Sequence, residues 1–271
     1  MKLPESFIPE KEKALSDEFI TRGYVVLPVE NQELLDVMRD KISSIAVNFL
    51  KIESQGSSED VLNNIAKYME VSQLNQLRLK VIDELNQCEW FRPAYYSLAK
   101  GALECLVGNE LAMQRKINLS VQLPNDDSSL LALHADTWSG DSAFEVVVWL
   151  PLVDCFNTKA MYITSPEGTK RLHDNFPKYN GLTSEDLYQK IKDEAEFIDI
   201  KYGNILVFNQ CLPHGNRVNI ENETRWTMNC RFKSIFTPYK NKKLGEFFEP
   251  ITLKTASKTG MEYKLPCLGD K

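Results

Sequence analysis

Histidine is scarce in this chain: only His134, His173 and His214 occur in 271 residues. Basic clusters are also few and short, such as "KNKK" at 240–243, and the net charge is −6, which speaks against a nucleic-acid partner. The six cysteines (Cys88, Cys105, Cys155, Cys211, Cys230, Cys267) form no C-x-x-C pair, which excludes a zinc knuckle, a dithiol redox motif and a dense disulfide framework. Reduced thiols in a cytoplasmic protein are the expectation. No apolar run reaches the roughly 20 residues of a membrane-spanning helix, and "MKLPESFIPEKEKAL" is charged throughout, without the apolar core of a signal peptide. These absences leave a small molecule, rather than nucleic acid or membrane, as the expected partner.

What is present suffices for a large core: 43% of residues are hydrophobic and 26% charged. The reading is one domain over 1–271. Residues 1–110 supply mainly helical support, 111–239 a strand-rich core with a long insertion at 165–196, and 240–271 a C-terminal extension. From Asn31 to about Lys51 apolar residues recur at Leu34, Leu35, Met38, Ile42, Ile45, Phe49 and Leu50, the spacing of an amphipathic helix. Helical pattern continues from about Ser58 to Asn86 and after Pro93, with Gly108 as a stop. "YVVLPV" is the single strand candidate of this half.

After Leu111 the period changes to two. In "QRKINLSVQL", Gln114, Lys116, Asn118, Ser120 and Gln122 share one face, and Ile117, Leu119, Val121 and Leu123 the other. Further strands are predicted at "SLLALHAD", "SAFEVVVWLPLVD" (apolar on both faces), "KAMYITSP", "EFIDI", "GNILVFNQ" and "TRWTMNCRFKSIF". Helices grouped before strands indicate an α+β domain with a sandwich or jelly-roll core. In the 165–196 connection a helix starting at Thr183 is predicted, with Asp186 placed for a capping box; a connection this long suggests function.

Two of the rare histidines sit in "LLALHADTWSG" and "QCLPHGN". On a strand, His134 and Asp136 point the same way, presenting an imidazole beside a carboxylate. A second imidazole from His214 completes two nitrogens and one oxygen on one side of a metal, a set that leaves three positions open and suits non-haem iron(II). An isolated H-x-D is more often an ordinary polar pair, so the following strand matters. Eleven residues after His214 stands Arg225, and Arg225, Thr227, Asn229 and Arg231 share a face opposite Trp226, Met228, Cys230 and Phe232. Arginine beside threonine is a good carboxylate receiver.

With these pieces in order, the chain resembles the iron(II)- and 2-oxoglutarate-dependent dioxygenases, closest to the phytanoyl-CoA hydroxylase-like branch. "DEFITRGYVVLPV" is similar to that branch's opening strand, "KAMYITSPEGTK" to its small-residue turn, and "GNILVFNQCLPHGNRVN" with "TRWTMNCRF" to its distal histidine and R-x-T strand. Asn204 departs from the aspartate common after the glycine, and "SPEGTKRLHDN" is not a close match to the usual turn. The resemblance implies a double-stranded β-helix of jelly-roll or cupin-like form with an N-terminal helical layer packed on it. It also implies iron(II) held by His134, Asp136 and His214, 2-oxoglutarate as co-substrate with Arg225 and Thr227 on its distal carboxylate, and dioxygen as oxidant. The carboxylate of Asp136 favours hydroxylation over halogenation, because halogenating relatives carry a small residue there.

Other candidates have two readings each. Asn118 and Gln122 either bond 2-oxoglutarate or meet solvent. Trp138 is a wall of the substrate pocket or a packing residue, and Trp149 is expected in the core. Asn229, Arg231 and Arg171 suggest a polar or anionic substrate. His173 is either a surface residue or part of a lid, and Asn216 and Asn219 are expected to orient the turn after His214. Bacterial members of the branch found with carbohydrate biosynthesis genes suggest a sugar, nucleotide-sugar or related metabolite. The competing classes are a non-catalytic jelly-roll binding protein and a cupin-like metal isomerase without 2-oxoglutarate. Arg225 separates them, since a carboxylate-binding arginine eleven residues beyond the distal histidine is expected only where a co-substrate diacid binds.

Overall fold

Residues 6–53 and 56–266 are described by a computed structural model of the chain, so Cys267 and the opening residues 1–5 lie outside the described residues. In chain order the elements are α1 (Glu10–Arg22), β1 (Tyr24–Pro28), α2 (Gln32–Leu50), α3 (Ser58–Asn64), α4 (Leu74–Asn86), α5 (Phe91–Ser97) and α6 (Lys100–Leu106). There follow β2 (Leu111–Gln114), β3 (Asn118–Gln122), β4 (Glu145–Pro151), β5 (Tyr162–Thr164), α7 (Pro166–Asn175), α8 (Ser184–Ile191), β6 (Ala195–Phe197), β7 (Asn204–Asn209), β8 (His214–Gly215), β9 (Arg225–Ser234), β10 (Phe248–Pro250) and α9 (Thr255–Glu262). No helix among the described residues is long and apolar enough to cross a membrane.

The long helix starts and stops where its sequence indicates. The Asn31 side chain accepts from the Leu34 N–H at 2.9 Å, and Lys51 ends α2 in a left-handed conformation. The helical pattern from Ser58 to Asn86 is broken rather than continuous. A Ser57–Asp60 capping box starts α3, two 3₁₀ turns follow, and a Glu70–Gln73 box precedes α4. Pro93 does not delay α5 but sits in its first turn, where its missing N–H has no helical acceptor.

Two antiparallel sheets form the rest: one ordered β1-β7-β4-β9-β2-β10 with β3 also on β9, the other β6-β5-β8. "QRKINLSVQL" is not one strand. Met113 pairs with Phe232 and Asn118 with Asn229, so two extra residues bulge out between β2 and β3. Two is an even number, so Gln114 and Asn118 stay on the same face. "SLLALHAD" is not a strand either: it is a loop that touches the small sheet at one bridge, His134 to His214, before Asp136 opens a 3₁₀ turn. The 165–196 connection holds α7 as well as the expected α8. Its signals were in the sequence: Ser165 caps α7 by accepting from Gly168 N–H, and Pro166 is its first residue.

The large sheet is buried on both faces, as β4 shows with all seven residues inaccessible. Val146, Val148, Leu150, Leu119, Val121, Trp226, Met228 and Phe232 pack with the residues of α2 to α5. Val147, Trp149, Leu206 and Phe208 point the other way and meet Met161, Ile163 and Ile198 of the small-sheet layer. The alternation of period two thus sorts one strand's residues into a helix-side core and an inter-sheet core. The polar residues of β3 and β9 fall on the inter-sheet side, where the sheets diverge into a cavity.

Candidate active site

His134 and His214 are joined by reciprocal backbone bonds, His134 N–H to His214 O at 3.0 Å and His214 N–H to His134 O at 2.8 Å. Ala135 is extended (φ −117°, ψ 137°), so His134 and Asp136 share a side although the stretch is no regular strand. One donor atom from each of His134, Asp136 and His214 lies within 4.8 Å of the other two. Both rings are held in the same way: Nδ1 of His134 lies 2.8 Å from Ala132 O, and Nδ1 of His214 2.8 Å from Leu212 O. A carbonyl only accepts, so Nδ1 carries the proton and Nε2 presents its lone pair, as a metal-binding imidazole must.

Charge balance agrees with a cation site. Burial, reinforced by the neighbouring His134, pushes His214 down to about 4, which keeps it neutral and able to ligate. Burial would raise Asp136, but its neighbours His134 and the charged Arg231 outweigh it and hold the carboxyl at about 2. Arg231 clamps one oxygen of that carboxylate: its Nη2 and Nε lie 2.6 and 3.1 Å from Asp136 Oδ2. Oδ1, at 3.5 Å from His134 Nε2, is left to face the two imidazoles. Around the clamp Gln210 accepts from Arg231 Nε at 3.1 Å and donates to Glu145 at 2.8 Å.

The three groups open into a cavity of about 220 Å³. Its floor is polar, with Asn118, Ser120, Arg225 and Asn229 from β3 and β9; Val147, Trp149 and Phe208 wall it. Arg225 is 3% exposed. Its Nη2 donates to Ser120 Oγ at 3.2 Å, its Nε has no partner, and no carboxylate pairs with it among the described residues. Burial brings its pKa down to about 10, so the guanidinium remains charged at neutral pH. A buried cation without a counterion demands an anion from outside.

The other predicted residues distribute unevenly. Asn118 and Asn229 line the cavity, as does Trp149, which is also in the inter-sheet core as expected. Thr227 is fully buried with no partner for its hydroxyl and does not line the cavity. Gln122 pairs across the strands with Arg225 and donates to Arg217 O at 2.7 Å, behind the cavity rather than in it. Trp138 is exposed outside the cavity, packed on Phe176 and His173 with centroids 5.3 and 6.2 Å away. Arg231 faces Asp136 and is engaged by it. Arg171 is paired with Glu194 at 2.7 Å on the surface. Asn216 fixes the loop before His134 by accepting from Leu131 N–H at 2.6 Å, and Asn219 donates to Glu223 O at 2.8 Å. Ser120 lines the cavity with Asn118, on whose face the alternation places it, while Gln114 and Gln210 are not among the expected site residues. Gln114 lies on that same alternation, whereas nothing local to Gln210 marks it.

No protein-family model matches the chain, and no curated protein matches it by sequence. Solved structures do match. A nickel complex of ThoJ, described as a non-heme monooxygenase, aligns at TM-score 0.57 and 14% identity over 90% of this chain and 85% of its own. HygX from Streptomyces hygroscopicus, with nickel and 2-oxoglutarate bound, aligns at 0.52 and 11% over 88% and 90%. The epimerase SnoN, in complex with Fe3+, alpha ketoglutarate and nogalamycin RO, aligns at 0.50 and 16% over 86% and 87%. The likeness is one of fold. It covers 86 to 90% of this chain.

Proposed function

We propose that this protein is an iron(II)- and 2-oxoglutarate-dependent oxygenase with a double-stranded β-helix core, hydroxylating or oxidising a polar small molecule such as a sugar, nucleotide-sugar or related metabolite. The observation that carries the reading is the buried, unpaired guanidinium of Arg225 in the same cavity as the His134, Asp136 and His214 cluster. A metal site alone fits an isomerase or a relic binding protein; a metal site facing an anion receptor fits a diacid co-substrate. Nickel, iron and 2-oxoglutarate in the structures of similar fold support this choice.

His134 Nε2, Asp136 Oδ1 and His214 Nε2 would hold the iron, and Arg225 with Ser120 would take the distal carboxylate. When bound, the iron and the diacid supply an oxidant from dioxygen at the expense of oxidative decarboxylation. The chain's own work is positional. Arg231 fixes which oxygen of Asp136 faces the metal, the Nδ1 bonds fix both ring orientations, and Val147, Trp149 and Phe208 keep the reacting centre dry. Asp136 also fills the position that a halide would need. The polar substrate and the phytanoyl-CoA hydroxylase-like branch both rest on the sequence.

The test is anaerobic addition of iron(II) and 2-oxoglutarate, monitoring the weak visible charge-transfer band of the chelate. Wild type is expected to develop the band and Arg225→Ala to lose it at the same co-substrate concentration. A saturated wild-type sample without the band refutes the proposal.

A further inference from the structure

A chain of side chains runs from Asp136 along the cavity floor, and its polarity is fixed at one end. Arg231, which clamps Asp136, also donates from Nη1 and from its backbone N–H to Gln114 Oε1, both at 3.3 Å. A guanidinium and a peptide N–H have no acceptor to offer, so Gln114 must turn its carbonyl toward them. Its amide nitrogen is then committed to donate, and does so to Asn118 Oδ1 at 3.3 Å. Asn118 in turn donates to Asn229 Oδ1 at 2.9 Å. With its carbonyl used, Asn229 has only its NH₂ left for the cavity, and that group has no partner among the described residues.

We infer that Asn229 is a binding residue for 2-oxoglutarate, its Nδ2 donating to an oxygen of the diacid, and that Gln114 and Asn118 act through it by holding the amide donor-side inward. This rests on the function proposed above. Position favours it: the inward residues of β9 run Arg225, Thr227, Asn229, Arg231, so Asn229 stands between the anion receptor and the arginine that clamps Asp136. A diacid reaching from Arg225 to the metal passes it. The free polar groups that β9 offers to the cavity there, the Arg225 guanidinium and the Asn229 NH₂, are then donors, which suits an oxygen-rich anion.

Gln114 makes the idea testable at a distance, because it does not line the cavity. In Gln114→Glu the carboxylate still accepts from Arg231 but cannot donate. Asn118 must rotate to donate to it, and Asn229 then turns its carbonyl to the cavity. Calorimetric titration of 2-oxoglutarate into the Mn(II)-loaded protein reads this without turnover. Asn229→Asp and Gln114→Glu are each expected to weaken 2-oxoglutarate about tenfold or more, the loss of a hydrogen bond to a charged group. Gln114→Met, which frees the amides without reversing them, is expected to lose less. Mn(II) affinity and melting temperature should stay near wild type in Asn229→Asp, which carries the test if Gln114→Glu fails to fold. Wild-type affinity in both folded variants, with Arg225→Ala still defective, overturns the assignment and leaves the proposed function standing. A wild-type protein that takes up Mn(II) but no 2-oxoglutarate overturns both.

Discussion

Arg231 shows how a single side chain can be placed correctly on a face and still be misjudged in role. Its position opposite Phe232 follows from strand alternation, and the cavity does begin beside it. Its guanidinium is spent on Asp136, Gln210 and Gln114 instead of on substrate. Arg231→Met should therefore act on the metal. Freed of its clamp, Asp136 is expected to lose about 10- to 100-fold in metal affinity, with Arg231→Lys intermediate because a point charge replaces a two-point fork. Competition between the protein and a chelating dye for Mn(II) measures this directly; an unchanged affinity in Arg231→Met would show that Asp136 is held by other means.

At the scale of the element, α2 is the clearest case of local sequence deciding local structure. Its apolar stripe, Leu35, Met38, Ile42, Ile45 and Ala46, is buried against the sheet, and Asn31 satisfies the first free N–H groups. Asn31→Ala is expected to cost about 1 kcal/mol of stability, seen as a lower urea midpoint with an unchanged slope. The sheet elements are less local. "SLLALHAD" alternates well enough to be predicted as a strand, yet it forms one bridge, because the partner it meets, β8, is only two residues long. The H-x-D geometry survives since it needs only Ala135 to be extended. The break between β2 and β3 likewise depends on pairing with β9.

For the whole molecule, the helical layer is tied to the sheets by a few buried polar contacts. Lys159, with 0% exposure, donates to Asn63 of α3 at 2.8 Å and to Glu223 before β9 at 2.6 Å. Trp226 Nε1 donates to Leu62 O at 2.9 Å, and Thr224 N–H to Asn63 O at 2.8 Å. Lys159 thus joins three distant parts of the chain just before the strand that carries Arg225. Lys159→Ala is expected to lose about 2 kcal/mol, chiefly from leaving Asn63 without its donor, since Glu223 is half exposed and can turn to water. Denaturant unfolding checks this, and a loss below about 0.5 kcal/mol would mean that Thr224 and Trp226 alone hold the layers together.

Sequence by itself determined α2 and α8, the faces of β3, β4 and β9, and the convergence of His134 with Asp136, because each depends on a period of 3.6 or 2, on a capping pattern or on one residue's backbone. It also marked Arg225 as a carboxylate receiver by its neighbours on the strand. Only the tertiary structure decided which polar residues the protein uses for itself. Arg231 and Gln122 carry the right chemistry on the right face, but their partners come from other strands or loops, and a hydrogen bond satisfied within the fold is one that no ligand receives; Thr227 is buried away from the cavity. Arg225 has no carboxylate partner among the described residues, only Ser120, and that lack of a counterion, invisible in any stretch of sequence, is what points the cavity toward an anion.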